Sequence, residues 1–198
     1  MSGRPRREIR RAGRTDPVGQ VIAAAFGEHG PAVAELWAEV VGLGLDRASL
    51  VAVEQGAVVG HVGVSHAWLD ARRALVDVLV LSPLSVTPPR QRTGIGTALL
   101  AAAIGAAEAY GAPALFLEGD PGYYRPRGFR PAAEAGFEAP SRRIPAPAFQ
   151  VVLFGAHRPW MTGRVVYREV WWRHDSTGLR DPALAEVEAA LGPGSDPS

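Results

Sequence analysis

The residues best placed to do chemistry lie between Val86 and Leu100, VTPPRQRTGIGTALL. An apolar, strand-like run ends there, a short basic turn containing glycine follows, and a helical pattern begins. The first N–H groups of a helix have no acceptor inside it, and the helix dipole there favours negative charge. Gly94 and Gly96 leave the main chain open to close approach, and Arg90 and Arg92 add positive charge. This combination makes a phosphate site. A Walker A loop needs Gly-Lys-Ser/Thr, and all 21 of the chain's Lys-or-Arg residues are Arg. A Rossmann fingerprint needs Gly or Ala where Leu99 stands. Taken alone, the segment also reads as a glycine-containing helix start with no ligand.

The elements that must position this turn follow from periodicity. Arg7–Ala12 reads as a first strand. Residues 16–27 read as a helix, with Asp16 as cap, Pro17 at the first helical position and Gly27 as stop. Residues 31–43 repeat the pattern, with Val33, Leu36, Trp37, Val40 and Val41 at helical spacing. Ser49–Glu54 and Ala57–Ala67 read as two strands around a Gln55-Gly56 turn. Leu75–Val86 is apolar on both faces, as a central strand is, with a bulge or break expected at Pro83. Ile95–Tyr110 is the strongest helix, with Ile95, Ala98, Leu99, Ala102 and Ala106 on one face and Gly111 ending it. Pro113–Glu118 is a further strand, completing a parallel βαβ crossover. A short helix or turn at Pro121–Gly128, strands at Phe149–Phe154 and Gly163–Tyr167, and a helix over 181–191 complete the reading.

Composition narrows the function. The chain has 198 residues, enough for one domain with a real core, and a single domain over 1–198 is expected. Residues 1–6 read as a basic lead-in and 192–198 as a disordered tail. A net charge of +1 argues against a dedicated nucleic-acid or membrane-surface protein. Cysteine is absent, which removes disulfides, thiolate nucleophiles and Cys-type zinc sites. No secretory leader or membrane-spanning stretch is read, so a cytoplasmic location is expected. With no His/Asp cluster at ligand spacing, no metal is expected.

The segment Gln91-Arg92-Thr93-Gly94-Ile95-Gly96 matches Gln/Arg-x-x-Gly-x-Gly. It resembles the pyrophosphate-binding motif of the GNAT superfamily of N-acetyltransferases. Leu81–Pro88 resembles the family's strand entering that motif. Gly119-Asp120-Pro121-Gly122-Tyr123-Tyr124 with Gly128-Phe129 resembles a stand-alone bacterial branch. Arg127 stands where the family usually carries Phe. The resemblance covers roughly residues 7–167 and is strongest over 76–129.

This resemblance implies an α/β fold with a mixed, mostly antiparallel central sheet, a splayed parallel strand pair and flanking helices. It also implies acetyl transfer from acetyl-CoA to a primary amine by direct attack on the thioester, with a small-molecule or peptide acceptor. A non-catalytic acyl-CoA-binding or regulatory module is the alternative. The implied cofactor contacts are Leu84, Ser85 and Val86 by main chain, with Gln91, Arg92, Thr93, Gly94, Ile95, Gly96 and Thr97 at the pyrophosphate. Tyr124 matches the family's proton donor to the departing thiolate. Glu118 is a candidate base, as is Asp77 on a strand read as buried. His61 and His66 are weighed as bases too, with structural roles favoured. Arg142-Arg143 hints at an acidic or carboxylated acceptor. The aromatic group Trp160, Tyr167, Trp171 and Trp172 reads as cover for the sheet, an acceptor pocket or a homodimer interface.

Overall fold

A computed structural model describes residues 7–180 and 182–192. The basic lead-in 1–6 and the tail residues 193–198 lie outside the described residues. In chain order the elements are β1 (Arg7–Arg11), α1 (Val18–Ala25), α2 (Gly30–Gly42), β2 (Asp46–Glu54), β3 (Ala57–Ala71) and β4 (Ala74–Val86). Then come α3 (Ile95–Ala109), β5 (Ala114–Glu118), α4 (Pro121–Tyr124), β6 (Arg130–Pro131) and β7 (Phe137–Glu138). The chain ends with β8 (Phe149–Leu153), β9 (Gly163–Val166), α5 (Glu169–Arg173) and α6 (Ala183–Leu191). The chain divides into two compact units: residues up to Ser65 with Leu81–Tyr110, and His66–Val80 with the chain from Gly111 onward. β3 and β4 each contribute residues to both.

In the first unit the strand order is β1-β2-β3-β4. β1 and β2 pair antiparallel from Arg7↔Glu54 to Arg11↔Leu50, and β2 returns as β3 through Gln55 and Gly56. Both turn residues have positive φ, 52° and 81°, as a two-residue turn matching strand twist requires. Gly60 and Gly63 differ in parity along β3, so they face opposite sides of the sheet. A Cβ on Gly60 would come within 2.9 Å of Leu99 on α3, and one on Gly63 within 2.5 Å of the Trp37 ring on α2. One helix therefore covers each face, seated where the strand has no side chain. Trp37, Val40, Val51, Val62, Ile95 and Leu99 are buried in this packing, each large aliphatic contributing about 1.5–3 kcal/mol by leaving water.

Several local expectations shift here. Asp16 does not cap α1. Its carboxylate takes the Arg10 guanidinium (2.6 and 2.9 Å) and the Gly13 N–H (2.6 Å), and Pro17 occupies the cap position. Those bonds hold the Asp16 carboxyl down at about 2. Val41 is exposed, while Leu36, Trp37 and Val40 form the buried stripe of α2. The buried stripe of α3 runs through Ile95, Leu99, Leu100, Ala103 and Ala107, rotated from the expected face. β4 spans Ala74–Val86, with a cis peptide bond at Ser82-Pro83 where an irregularity is expected.

In the second unit the strand order is β3-β4-β5-β8-β6, with β9 on the outer edge of β3 and β7 on β9. β4 and β5 pair parallel at Leu79↔Leu115 and Val80↔Phe116, and the register stops there. β5 pairs along its whole length, antiparallel, with β8. β7 and β9 form a second, short parallel pair that the sequence reading lacks, as it lacks the five-residue α5. The core centres on Phe116, stacked on Phe149 at 5.4 Å and edge-on to Phe137 at 5.0 Å. Among the described residues, no helix is long and apolar enough to cross a membrane.

Candidate active site

The first unit presents the turn that enters α3. Pro88–Arg90 form a single 3-10 turn, Arg92 has φ 61° and Gly94 has φ 87°. Gly94 is the N-cap of α3 and brings no side chain to it, and the first intrahelical bond runs from Ala98 N–H to Gly94 O. The N–H groups of Ile95 and Gly96 therefore have no acceptor within the helix. Gln91, Arg92, Thr93, Gly94 and Thr97 are exposed, Gly96 is half-buried, and Ile95 is buried as an anchor. The turn is braced from its own residues: Thr93 Oγ1 donates to Arg90 O (2.7 Å) and Gln91 Nε2 to Val86 O (3.1 Å). The Gln91 side chain and the Val86 carbonyl are thus engaged with each other. Leu84 is half-buried and Ser85 is buried, with a hydroxyl that has no hydrogen-bond partner.

Two residues not singled out from the sequence support this turn. Arg7, from β1, donates through Nη2 to Thr93 O at 3.1 Å and through Nε to Glu54 at 3.0 Å. Glu54 is buried, and Arg90 Nε lies 3.8 Å from its second oxygen. A buried carboxylate between two guanidiniums fixes β1, the β2 end and the turn together. The signal was present but indirect: an acid immediately before a Gln-Gly turn, pairing in register with an arginine of the first strand. The turn carries Arg90 and Arg92 and leaves the N–H groups of Ile95 and Gly96 free of helix acceptors, the chemistry that holds a polyphosphate.

The second unit presents a pocket of about 490 Å³ beyond the end of β5. Glu118, the last residue of β5, lines it together with Asp120, Arg143 and Ile144, and α6 contributes Val187 and Leu191. Burial pushes the Glu118 carboxyl up to about 7. The Tyr167 hydroxyl, the Gly178 N–H and the Arg143 guanidinium oppose this without cancelling it. The Tyr167 hydroxyl is buried beside the carboxylate without closing a well-formed hydrogen bond, and its own ionisation is pushed far up. The pocket wall is pinned: Arg143 Nη2 donates to Thr177 O at 2.6 Å, and Leu179 N–H to Arg143 O at 3.0 Å.

Tyr124 sits close to the same end of β5. A Cβ on Gly119 would come within 2.3 Å of its ring, so the ring lies directly over that glycine. The ring also meets Tyr123 and Phe129 edge-on at 4.9 and 5.8 Å. Burial, with Tyr123 adding to it, raises the phenol to about 12, so it stays protonated at neutral pH. Asp120 caps the short α4 by accepting from Gly122 N–H at 2.8 Å. Arg127, in the place usual for Phe, stacks its guanidinium 3.9 Å over the Tyr123 ring and donates to Tyr123 O. These contacts tie the turn to α4.

The other candidates fall outside these two sites. Asp77 is not buried: its side chain is 78% exposed at the entry end of β4, where it meets His66 Nε2 at 2.8 Å. Arg168 donates to the other nitrogen of His66, which makes that ring a structural link. His61 is fully buried, bonded to Ser49 at 2.9 Å and held neutral by burial, with its ionisation lowered to about 4. Tyr167 and Trp171 are buried in the second unit, while Trp172 is 42% exposed. Among the described residues no group of three or more His, Cys, Asp or Glu is placed to hold a metal.

Residues 17–129 match the profile of the acetyltransferase (GNAT) family. The chain is 32% identical over 93 residues to the uncharacterized N-acetyltransferase YjhQ of Escherichia coli strain K12. That match covers 46% of this chain and about half, 51%, of the relative. Among solved structures, the N-acetyltransferase YhbS from Escherichia coli in complex with CoA superposes with a TM-score of 0.75 at 25% identity. It covers 87% of this chain and 96% of that one. A GNAT family acetyltransferase from Brucella melitensis in complex with acetyl-CoA gives a TM-score of 0.68 at 29% identity, covering 85% and 99%. With more than half of its length matched by the family profile, the chain belongs to the acetyltransferase (GNAT) family.

Proposed function

We propose that this protein transfers an acetyl group from acetyl-CoA to a primary amine. The relatives bound to CoA and acetyl-CoA support the donor, and the backbone-lined, arginine-flanked entry of α3 suits its pyrophosphate. In this reading the N–H groups at Gly94, Ile95 and Gly96 take phosphate oxygens, with Arg92, Thr93 and Thr97 around them. Gln91 acts by bracing the turn. Main-chain groups of Leu84, Ser85 and Val86 pair with the pantetheine arm, and the Val86 carbonyl keeps its Gln91 bond.

The observation that carries the catalytic reading is Glu118, a carboxyl raised to about 7 in the wall of a pocket. A base near neutrality takes a proton from an ammonium without being permanently ionised. The amine nitrogen then attacks the acetyl carbonyl, the C–N bond forms and the C–S bond breaks. Tyr124, held protonated, supplies a proton to the departing thiolate. The test is thiol release and acetylated product on incubation with acetyl-CoA and a panel of primary amines. Tight CoA binding with no thiol release across the panel would leave a non-catalytic acyl-CoA-binding module instead.

A further inference from the structure

The pocket at the end of β5 carries charges of both signs and a broad apolar wall. Glu118 and Asp120 supply carboxylates, and one Asp120 oxygen is already committed to the Gly122 N–H. Arg143 supplies a guanidinium whose Nη2 is held by Thr177 O while its Nε has no protein acceptor. The rest is apolar: Ile144, Leu179, and Val187, Ala190 and Leu191 from the terminal helix. An alkylammonium would compete with Arg143 for the Glu118 carboxylate, whereas a ligand carboxylate gives the guanidinium a partner of its own. A zwitterion with an apolar side chain satisfies all three parts of the wall.

We propose that the acceptor is a free α-amino acid with a large apolar side chain. Its amino group lies at Glu118, its carboxylate at Arg143, and its side chain against Ile144, Leu179 and α6. This rests on the acetyl-transfer reading above. The nitrogen of the amino acid takes the acetyl group from acetyl-CoA, its proton passes to Glu118, and CoA leaves as the thiol. The volume of about 490 Å³ leaves room for a side chain of leucine or phenylalanine size.

The experiment compares L-leucine and L-phenylalanine with their decarboxylated counterparts, 3-methylbutylamine and 2-phenylethylamine, and with L-serine. Rates are expressed per deprotonated amine. The expected kcat/KM favours each amino acid over its counterpart by roughly 10–150-fold, the scale of a charge-assisted hydrogen bond. Leucine should also exceed serine. Arg143→Gln keeps a donor for Thr177 O but removes the charge, so the preference for the carboxylated member of each pair should fall toward one, through KM. Val187→Asp, on α6, should erase the preference for leucine over serine. Equal rates for leucine and 3-methylbutylamine, or turnover only of amines without a carboxylate, would overturn this inference and leave acetyl transfer standing. Silence toward every amine tested would overturn both.

Discussion

The α3 entry and the Glu118 pocket are built in opposite ways. The first is built mainly from the consecutive run Val86–Thr97, whose side chains mostly serve to expose or brace backbone, with Arg7 and Glu54 as outside supports: Thr93 ties to Arg90, Gln91 ties to Val86, and Gly94 removes a Cβ. The second gathers Glu118, Arg143, Tyr167, Gly178 and Leu191 from across more than seventy positions. Binding a polyphosphate needs only oriented donors, which one local turn supplies. Tuning a carboxyl to neutrality needs burial, and burial needs distant segments to close over it. Losses in the pocket should therefore appear in turnover, and losses at the turn in donor affinity.

The largest expected effect is at Glu118. Glu118→Gln removes the proton acceptor at constant shape and should lower kcat by roughly 10²–10⁴ while donor affinity by calorimetry stays near wild type. An equal loss of CoA affinity would erase the distinction between the two regions. Glu118→Gln should also change stability with a definite sign. A carboxyl raised from 4.5 to about 7 costs the folded state progressively as pH rises between those values. The variant, having no charge to bury, should gain thermal stability relative to wild type above pH 7 and not below pH 4. A stability difference that is independent of pH would contradict the burial assigned to this group.

Tyr124→Phe comes next. It keeps the ring over Gly119 and the contacts with Tyr123 and Phe129 but removes the proton. Turnover should fall by about 10², the low end for a general acid, because CoA thiol is a fairly good leaving group. Wild-type turnover across pH would leave the thiolate to solvent.

On the other side of the comparison, Gly94→Asp places a carboxylate and a strained left-handed backbone where phosphate should sit. CoA binding should weaken by about 2–3 kcal/mol, with the residual kcat at saturating donor little changed. Arg7→Ala, which frees Thr93 O and leaves Glu54 with Arg90 alone, should cost less, about 1 kcal/mol of donor affinity. Calorimetric titration reads both, and an effect of Arg7→Ala larger than that of Gly94→Asp would make the arginine a phosphate ligand and not a brace.

What was legible in the sequence follows the same division. The strand–turn–helix over Val86–Leu100, the Gln55-Gly56 hairpin and the βαβ unit all rest on local spacing, and the structure reproduces them. Tyr124 and Glu118 could be named from motif and strand end, but nothing in the spacing indicated Tyr167, Gly178 or α6 around Glu118. Asp77 was misread because its strand is apolar on average, while its first four residues protrude from the core. Asp16 was misread because a cap and a β1 arginine compete for the same carboxylate, and the charged partner won. Arg7 and Glu54 were signalled only indirectly, because their bond depends on β1–β2 register, which no single segment encodes.

The most direct test is the pH dependence of kcat/KM, from pH 5.5 to 9, for wild type and Glu118→Gln with one acceptor. Two arms are expected in wild type: one near 7 from Glu118, and one at higher pH from the acceptor amine. The account predicts that Glu118→Gln loses the arm near 7 and keeps the amine's. An arm near 7 that survives in Glu118→Gln, or a wild-type profile that shows only the amine, would contradict it.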